Sequence, residues 1–145
     1  MRRKGVAVAA MAAVGLLAGT ATPASAATAC VGNGVAESNP GFLATGPLTA
    51  AFTFNGKATC QGTPSGPVTG SGQLTGTCNA LTGYIDVSGA LNGHVTVATH
   101  GPVFTLKGTV NGLAFNAAGV FAPKKGNCVT VPLTMATVAF GGAAK

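Results

Sequence analysis

The sequence predicts an all-β fold: a small antiparallel β-sandwich or barrel built from hairpins and stapled by two disulfides. Three observations lead to this prediction. Glycine, threonine and valine are abundant, with 23 Gly among 145 residues, and no window places apolar residues at helical spacing. Three Asn-Gly dipeptides, which favour tight hairpin turns, punctuate strand-like runs. The chain also carries four cysteines behind the pattern of an export leader.

Residues 1–26 have the pattern of a signal peptide. Arg2–Lys4 gives a positive start, an apolar run follows over 6–18, and Ala24–Ala26 is a small-residue cleavage site. The apolar run is too short to span a bilayer, which disfavours an uncleaved anchor. We therefore expect cleavage after this leader, secretion by the general route in preference to the twin-arginine route, and one mature domain over 27–145. No stable membrane insertion is expected after cleavage.

The first part of the mature chain predicts loops and one hairpin. Residues 31–46 have the composition of a loop, with a short strand near the start, because Gly, Asn and Pro recur there. The run Thr49–Phe54 predicts a strand. Asn55–Gly56 is interpreted as the tip of a hairpin whose return strand leads to Cys60. Residues 62–66, Gly-Thr-Pro-Ser-Gly, predict the next turn.

The run Val68–Cys78 alternates strictly and predicts a strand with one polar face. That face comprises Thr69, Ser71, Gln73, Thr75 and Thr77. A threonine-rich face could bind ice or a polysaccharide, but a solvated strand face explains the pattern more simply, because one strand is not a repeated array. The glycines on the other face predict that an aromatic ring packs closely against them.

The dipeptide Asn92–Gly93 allows two interpretations. A two-residue turn would place Ile85 opposite His100. It would also place Asp86 opposite Thr99, on the other side of the sheet from His100. Both faces of this hairpin would then carry apolar residues, which indicates either a two-layer structure or a longer loop.

The dipeptide Asn111–Gly112 predicts a two-residue turn with a defined register. That register pairs Val110 with Leu113, Gly108 with Phe115, Leu106 with Ala117, and Phe104 with Gly119. The face that these residues share is wholly apolar, so we expect it to be buried. Each phenylalanine lies opposite a glycine, which allows its ring to cover bare backbone.

The final run, from Cys128 to Phe140, predicts an extended strand interrupted at Pro132. Proline has no backbone N–H to donate, so this part should lie at a sheet edge or in a bulge. An edge strand with little charge is a place where another chain can pair. We therefore expect any self-association to involve the segment Val129–Phe140.

The four cysteines, Cys30, Cys60, Cys78 and Cys128, predict two disulfides, because an even cysteine count in an exported chain favours oxidation. Their spacing contains no Cys-x-x-Cys pair and no nearby histidine, so no metal site is expected. The sequence leaves the pairing open. Direct pairing of the strands that flank 62–66 would hold Cys60 and Cys78 about 25 Å apart, so we favour Cys30–Cys60 with Cys78–Cys128.

The charge inventory excludes nucleic-acid binding. Three of the eight basic residues lie in the leader, which leaves five lysines, no arginine and two carboxylates in the mature chain, a formal charge of +3. Nucleic-acid binding is not expected without arginines for bidentate phosphate contacts and aromatic residues placed among the basic ones for base stacking.

Acid–base chemistry has few candidate residues in the mature chain. They are Asp86, Glu37, His94 and His100. The two histidines share a strand face but stand about 20 Å apart, too far for a shared metal ion. No serine lies in a Gly-x-Ser-x-Gly elbow. We therefore predict no catalytic residue, no metal, no cofactor and a protein that is not an enzyme.

The function favoured by the sequence is that of an exported, non-enzymatic β-domain acting through its surface, as an extracellular or cell-envelope binding or structural module. The low charge would permit self-association or contact with a cell-surface or protein partner, because little repulsion keeps copies apart. Two alternatives stay open. One is a carrier of a small apolar ligand, for which a large apolar pocket would be the signature. The other is a secreted protein-inhibitor domain.

Overall fold

The computed structural model describes residues 27–62 and 64–145, which form a closed barrel of eight antiparallel strands. The predicted leader, 1–26, lies outside the described residues. Each strand pairs with its neighbours in sequence, and the last strand pairs with the first, so the predicted all-β fold is confirmed as a barrel. The strands are β1 (Thr28–Phe42), β2 (Leu48–Cys60), β3 (Gly66–Thr77), β4 (Ala80–Gly89), β5 (Gly93–His100), β6 (Val103–Val110), β7 (Leu113–Lys125) and β8 (Leu133–Ala144).

The hairpin of β6 and β7 has the register that the sequence predicts. Val110 pairs with Leu113 and Phe104 with Gly119, on either side of the turn. Asn111 and Gly112 have φ values of 53° and 79°, the positive angles that a type I′ turn requires. A Cβ atom on Gly119 would stand 2.6 Å from Cζ of Phe104, so the ring does cover bare backbone. The apolar face of this hairpin points into the barrel, except at Leu113 beside the turn, which is 42% exposed and not buried as expected.

The loop between β4 and β5 is longer than a two-residue turn. Asp86 pairs with His94 and Ile85 with Val95, so the register that paired Ile85 with His100 and Asp86 with Thr99 is wrong. Leu91 causes the difference, because its side chain is buried within the loop and needs residues on either side to reach the interior. The longer loop also explains why a two-residue turn would have put apolar residues on both faces of the hairpin. In the observed register Val95 and Ile85 both point inward.

The dipeptide Asn55–Gly56 lies inside β2, so its prediction as a hairpin tip is wrong. Gly56 pairs with Gly34 of β1, and a Cβ atom built on Gly56 would stand 2.8 Å from the Gly34 Cα atom. The glycine therefore allows two backbones to approach closely, and no turn is involved. The prediction of a loop over 31–46 is also wrong, because that segment supplies most of β1 and is held on both sides, by β2 and β8.

Two predictions about β3 and β8 are corrected by the barrel. Gly70 of β3 packs under the Ile85 side chain, 2.6 Å from a built Cβ atom, and not under an aromatic ring. Pro132 lies in the loop before β8, and β8 itself pairs with β7 and β1. The segment Val129–Phe140 is therefore not an edge strand, because closure gives β8 a partner on each side.

The two disulfides are Cys30–Cys60 and Cys78–Cys128, the pairing that the sequence analysis favoured. The first joins directly opposed positions of β1 and β2. The second joins the turn after β3 to the loop after β7. The N–H of Cys78 donates to the Leu43 carbonyl at 3.0 Å, and the N–H of Ala44 donates to the Cys128 carbonyl at 2.7 Å. We call this end of the barrel, with loops 43–47, 78–79, 101–102 and 126–132, the latched end.

Adjacent glycines of β8 provide a test of the interior packing. A Cβ atom on Gly142 would overlap Asn116 and stand 2.5 Å from the Ala117 Cα atom, whereas one on Gly141 would be in ordinary contact, 3.7 Å from Val31. We expect Gly142→Ala to destabilise the protein by about 1–3 kcal/mol through overpacking. Gly141→Ala should change stability by less than about 1 kcal/mol.

Urea unfolding of both variants measures this difference. Equal stability of the two would contradict the placement of Gly142 against the β7 backbone.

Candidate functional site

The interior of the barrel contains an apolar cavity of about 120 Å³. All seven phenylalanines of the chain line it, and they lie on five of the eight strands. They are Phe42, Phe52, Phe54, Phe104, Phe115, Phe121 and Phe140. The aliphatic lining comes mainly from Val68, Leu74, Leu81, Ile85, Val87, Leu91, Val95, Val97, Leu106, Val110, Leu133 and Val138.

The exposure of the inward residues shows that the interior is incompletely filled. Phe52, Val87, Leu106 and Val138 point inward, yet they are half-buried, because part of their surface faces the cavity. An eight-stranded barrel has an interior that side chains can just fill, or that can hold one small ligand. Inward glycines occupy several positions of the wall where a Cβ atom would overlap the neighbouring backbone.

The phenylalanine rings are held in fixed positions along the wall. Cζ of Phe140 lies over Gly32, and Cζ of Phe54 stands 2.7 Å from a Cβ atom built on Gly56. The Phe54 and Phe140 rings meet edge to face, with centroids 6.5 Å apart and planes at 63°. Bare backbone beneath each ring lets the ring lie close to the wall, which keeps the centre of the barrel open.

Few polar groups line the cavity, and the hydroxyl groups of two lining residues bond to the backbone. Ser38 Oγ donates to the Leu133 carbonyl at 3.1 Å, and Thr99 Oγ1 accepts the N–H of Leu81 at 2.8 Å. Glu37 is the one charged residue among the described lining residues, and it is exposed. The cavity therefore favours a ligand that needs few hydrogen bonds.

Buried side chains lie at both ends of the barrel. At the latched end the Cys78–Cys128 disulfide joins two loops across the barrel mouth, and the buried Phe42 packs beneath them. At the opposite end Leu91, Val110 and Phe115 are buried, and together their side chains fill the interior below the β4–β5 loop. The open space therefore lies between these two packed layers.

The outer wall brings together two residues that the sequence analysis kept apart. His94 Nδ1 lies 2.6 Å from Asp86 Oδ1, and the Tyr84 ring stacks on His94 with centroids 5.3 Å apart. The longer β4–β5 loop places Asp86 directly opposite His94, where the two-residue turn would have placed it opposite Thr99. The two side chains are 61% and 57% exposed, on the convex side of the barrel.

The other candidate residues lie apart from this pair and from each other. His100 pairs with Val103 at the latched end, and Glu37 pairs with Met135 between β1 and β8. The predicted polar face of β3 is solvent-exposed, and its hydroxyls bond to neighbouring strands, with Thr75 Oγ1 2.8 Å from Thr49 Oγ1. Within 27–62 and 64–145, no three His, Cys, Asp or Glu side chains are grouped to hold a metal ion.

The cavity-lining phenylalanines were not identified as a site from the sequence. A usable signal was present, because inward positions on β6 alternate with polar ones, and the two phenylalanines of the hairpin, Phe104 and Phe115, each oppose a glycine. The volume of the cavity, however, depends on all eight strands together.

No helix in the described part of the chain is long and apolar enough to cross a membrane.

Comparison of the chain with protein-family models, curated protein sequences and solved structures finds no match. The function is therefore inferred from the cavity and the outer wall.

The exposed Asp86–His94 pair should contribute little to stability. A double-mutant cycle of Asp86→Ala and His94→Ala should give a coupling energy of about 0.2–1 kcal/mol, because solvent screens an exposed ion pair. The measurement is urea unfolding at low and high salt, and the coupling should fall as salt is added. His100→Ala, which removes an unpaired surface histidine of the same strand, is the control. A coupling energy above about 2 kcal/mol would contradict the exposed geometry.

Proposed function

We propose that this protein is an exported carrier that binds a small apolar molecule inside its barrel. The observation that supports this function is the cavity lined by all seven phenylalanines. Of the functions left open by the sequence, the small apolar-ligand carrier is the one for which an apolar pocket is the signature. A binding module acting only through its surface would gain nothing from an unfilled interior, which weakens the core.

The chemistry of the cavity selects against polar ligands. A charged or strongly hydrogen-bonding group would lose its water on entry and find few partners, at a cost of several kcal/mol. An apolar ligand gains about 25 cal/mol for each Å² of carbon surface removed from water. Aromatic and aliphatic walls together therefore favour a neutral hydrocarbon-like molecule.

Export is supported by the two disulfides and by the predicted leader. Disulfides persist outside the reducing cytosol, and this domain has two of them at opposite ends of its barrel. The low charge of the mature chain suits a domain held together by covalent links. A carrier role outside the cell requires no catalytic residue, which agrees with the prediction that the protein is not an enzyme.

Surface contact with a partner is a second candidate function. Val129 and Val131 project from the loop before β8 and are 74% and 52% exposed. Exposed aliphatic side chains in one short loop are typical of a contact site for a protein or a cell surface. This loop belongs to the latched end, so such a contact would lie beside the covered mouth of the cavity.

Filling the cavity should abolish ligand binding. We expect the wild-type barrel to bind at least one of two neutral alcohols of equal carbon number, the linear butanol or the ring-shaped cyclobutanol, because a cavity of about 150 Å³ holds a molecule no larger than benzene. Val138→Phe adds a ring at the centre of the interior wall and should weaken that binding at least about tenfold, because the space is occupied. Isothermal titration calorimetry measures both affinities.

The matched control is Val120→Phe, which adds the same ring on the outer face of β7, where Val120 is 55% exposed. It should retain wild-type affinity, and thermal unfolding checks that both variants are folded. If the wild-type protein binds neither alcohol, the carrier function is wrong.

Export and oxidation can be tested in one measurement. Mass spectrometry of protein from the culture medium should give a mature chain that begins at Ala27 and lacks four hydrogens relative to the reduced form, for two disulfides. Ala26→Phe should block cleavage, because the site requires a small residue. An unprocessed chain, or thiols that react without prior reduction, would refute export as an oxidised domain.

A further inference from the structure

The loop between β7 and β8 carries the most exposed large apolar side chain of the described residues. Val129 is 74% exposed, and Val131, two residues further along, is 52% exposed. Both project at the latched end, and we call residues 129–131 the valine tip. Exposed aliphatic residues scattered singly over a surface need no partner, but two at one protruding tip indicate contact with apolar material.

The backbone of the valine tip needs no hydrogen-bond acceptor from outside. Asn127 Oδ1 accepts the N–H groups of all three residues of the tip, at 2.9, 2.8 and 2.9 Å. The N–H groups of Asn127 and Cys128 both donate to the Val131 carbonyl at 3.0 Å. The residue after the tip is a proline, which has no N–H. Every N–H group from Asn127 to the end of the loop is therefore paired within the loop.

Paired donors make the tip suited to an apolar medium. An unpaired N–H group is costly to remove from water, which keeps most loops out of such a medium. The valine tip has no N–H left unpaired, and its shape is held by the Asn127 side chain and the Cys78–Cys128 disulfide. Neither restraint uses the valine side chains. Both valines can therefore leave water together without stranding a backbone donor.

The charged residues closest to the valine tip along the chain are basic. The four loops of the latched end contain no Asp, Glu, Lys or Arg. Lys124 and Lys125, both exposed, end β7 immediately before the loop of the tip. Of the two acidic side chains in the described residues, Glu37 lies two strands away from Lys125, on β1, and Asp86 is engaged in the outer-wall ion pair. An anionic partner would thus meet two lysines beside an apolar tip.

These features fit a lipid surface better than a protein. Two copies joined through their tips would bring their lysine pairs together, and like charges repel. The tip alone also cannot supply the roughly 800 Å² per partner that a standard protein interface buries. A lipid surface requires no matching shape, because apolar side chains enter the boundary between headgroups and acyl chains while basic residues meet anionic headgroups.

We propose that the latched end docks peripherally onto a membrane that contains anionic lipid. The valine tip enters the boundary below the headgroups, and Lys124 and Lys125 contact phosphate groups at the surface. This inference rests on the surface contact given above as the second candidate function and names its partner. It does not depend on a ligand in the cavity. Docking is weak and reversible, because the tip buries less apolar surface than a single acyl chain, which itself anchors a protein only marginally.

The experiment is co-sedimentation of the oxidised wild-type protein with lipid vesicles over a range of lipid concentrations. One set of vesicles is phosphatidylcholine alone, and the other is two parts phosphatidylcholine to one part phosphatidylglycerol. We expect tighter binding to the anionic vesicles, by about tenfold or more for two lysines. Added salt should weaken this binding, because it screens the lysines.

Substitutions at the tip test the apolar contact. Val129→Ser should weaken binding to anionic vesicles about tenfold, because one aliphatic side chain no longer leaves water. The matched control is Val31→Ser, the same change at a 55% exposed valine near the other end of the barrel, which should bind like the wild type. Thermal unfolding checks that both variants are folded.

Substitutions of lysine test the electrostatic contact. Lys125→Gln should weaken binding to anionic vesicles about fivefold. Lys57→Gln removes the same charge from β2, nine residues along the strand from the latched-end loop, and should change binding less than about twofold, because that distance exceeds the screening length.

Several outcomes would overturn membrane docking. They are equal binding to the two sets of vesicles, equal binding of Val129→Ser and the wild type, and no binding to either set. Self-association in sedimentation velocity that Val129→Ser abolishes would also overturn it, because a second copy would then cover the tip. None of these results affects the carrier function, which the alcohol titrations test separately, and a protein partner for the tip would remain the second candidate.

Discussion

Pairing of β8 with β1 is the constraint on which the rest of the molecule depends. Ten consecutive register positions join the two strands, from Thr28 opposite Ala144 to Glu37 opposite Met135, and an eleventh, Phe42 opposite Leu133, follows a bulge. This pairing turns a meander of hairpins into a ring and gives every described strand a neighbour on both sides. It also gives each strand an interior face, so alternation in the sequence becomes a division between an apolar lumen and a polar wall.

Glycine makes so small a ring possible and at the same time leaves it hollow. Gly34 and Gly56 let β1 and β2 approach closely, and Gly142 does the same between β7 and β8. Phenylalanine rings cover several of these bare positions, which stabilises the wall without filling the axis. A disulfide lies at each end of the barrel: Cys30–Cys60 links β1 to β2, and Cys78–Cys128 links two loops across the latched end.

The division between lumen and wall also separates the functional possibilities. The lumen contains nearly all the aromatic carbon and few free polar groups, which suits a neutral apolar molecule. The wall carries the Asp86–His94 pair in solvent and away from the cavity. Glu37 is the one acid–base side chain among the described lining residues, so no pair of such groups meets the cavity.

The sequence by itself determined the features that depend on neighbouring residues. Alternation predicted the strands, Asn111–Gly112 fixed one hairpin and its register, and the spacing of the cysteines favoured the observed pairing. Only the tertiary structure decided that 31–46 is mostly strand, that Asn55–Gly56 lies within β2, and that a cavity remains at the centre. The reason is physical. A strand rich in glycine is weak alone and is stabilised by partners distant in sequence. The volume of the cavity is the volume that the barrel encloses minus the volume of the inward side chains of all eight strands.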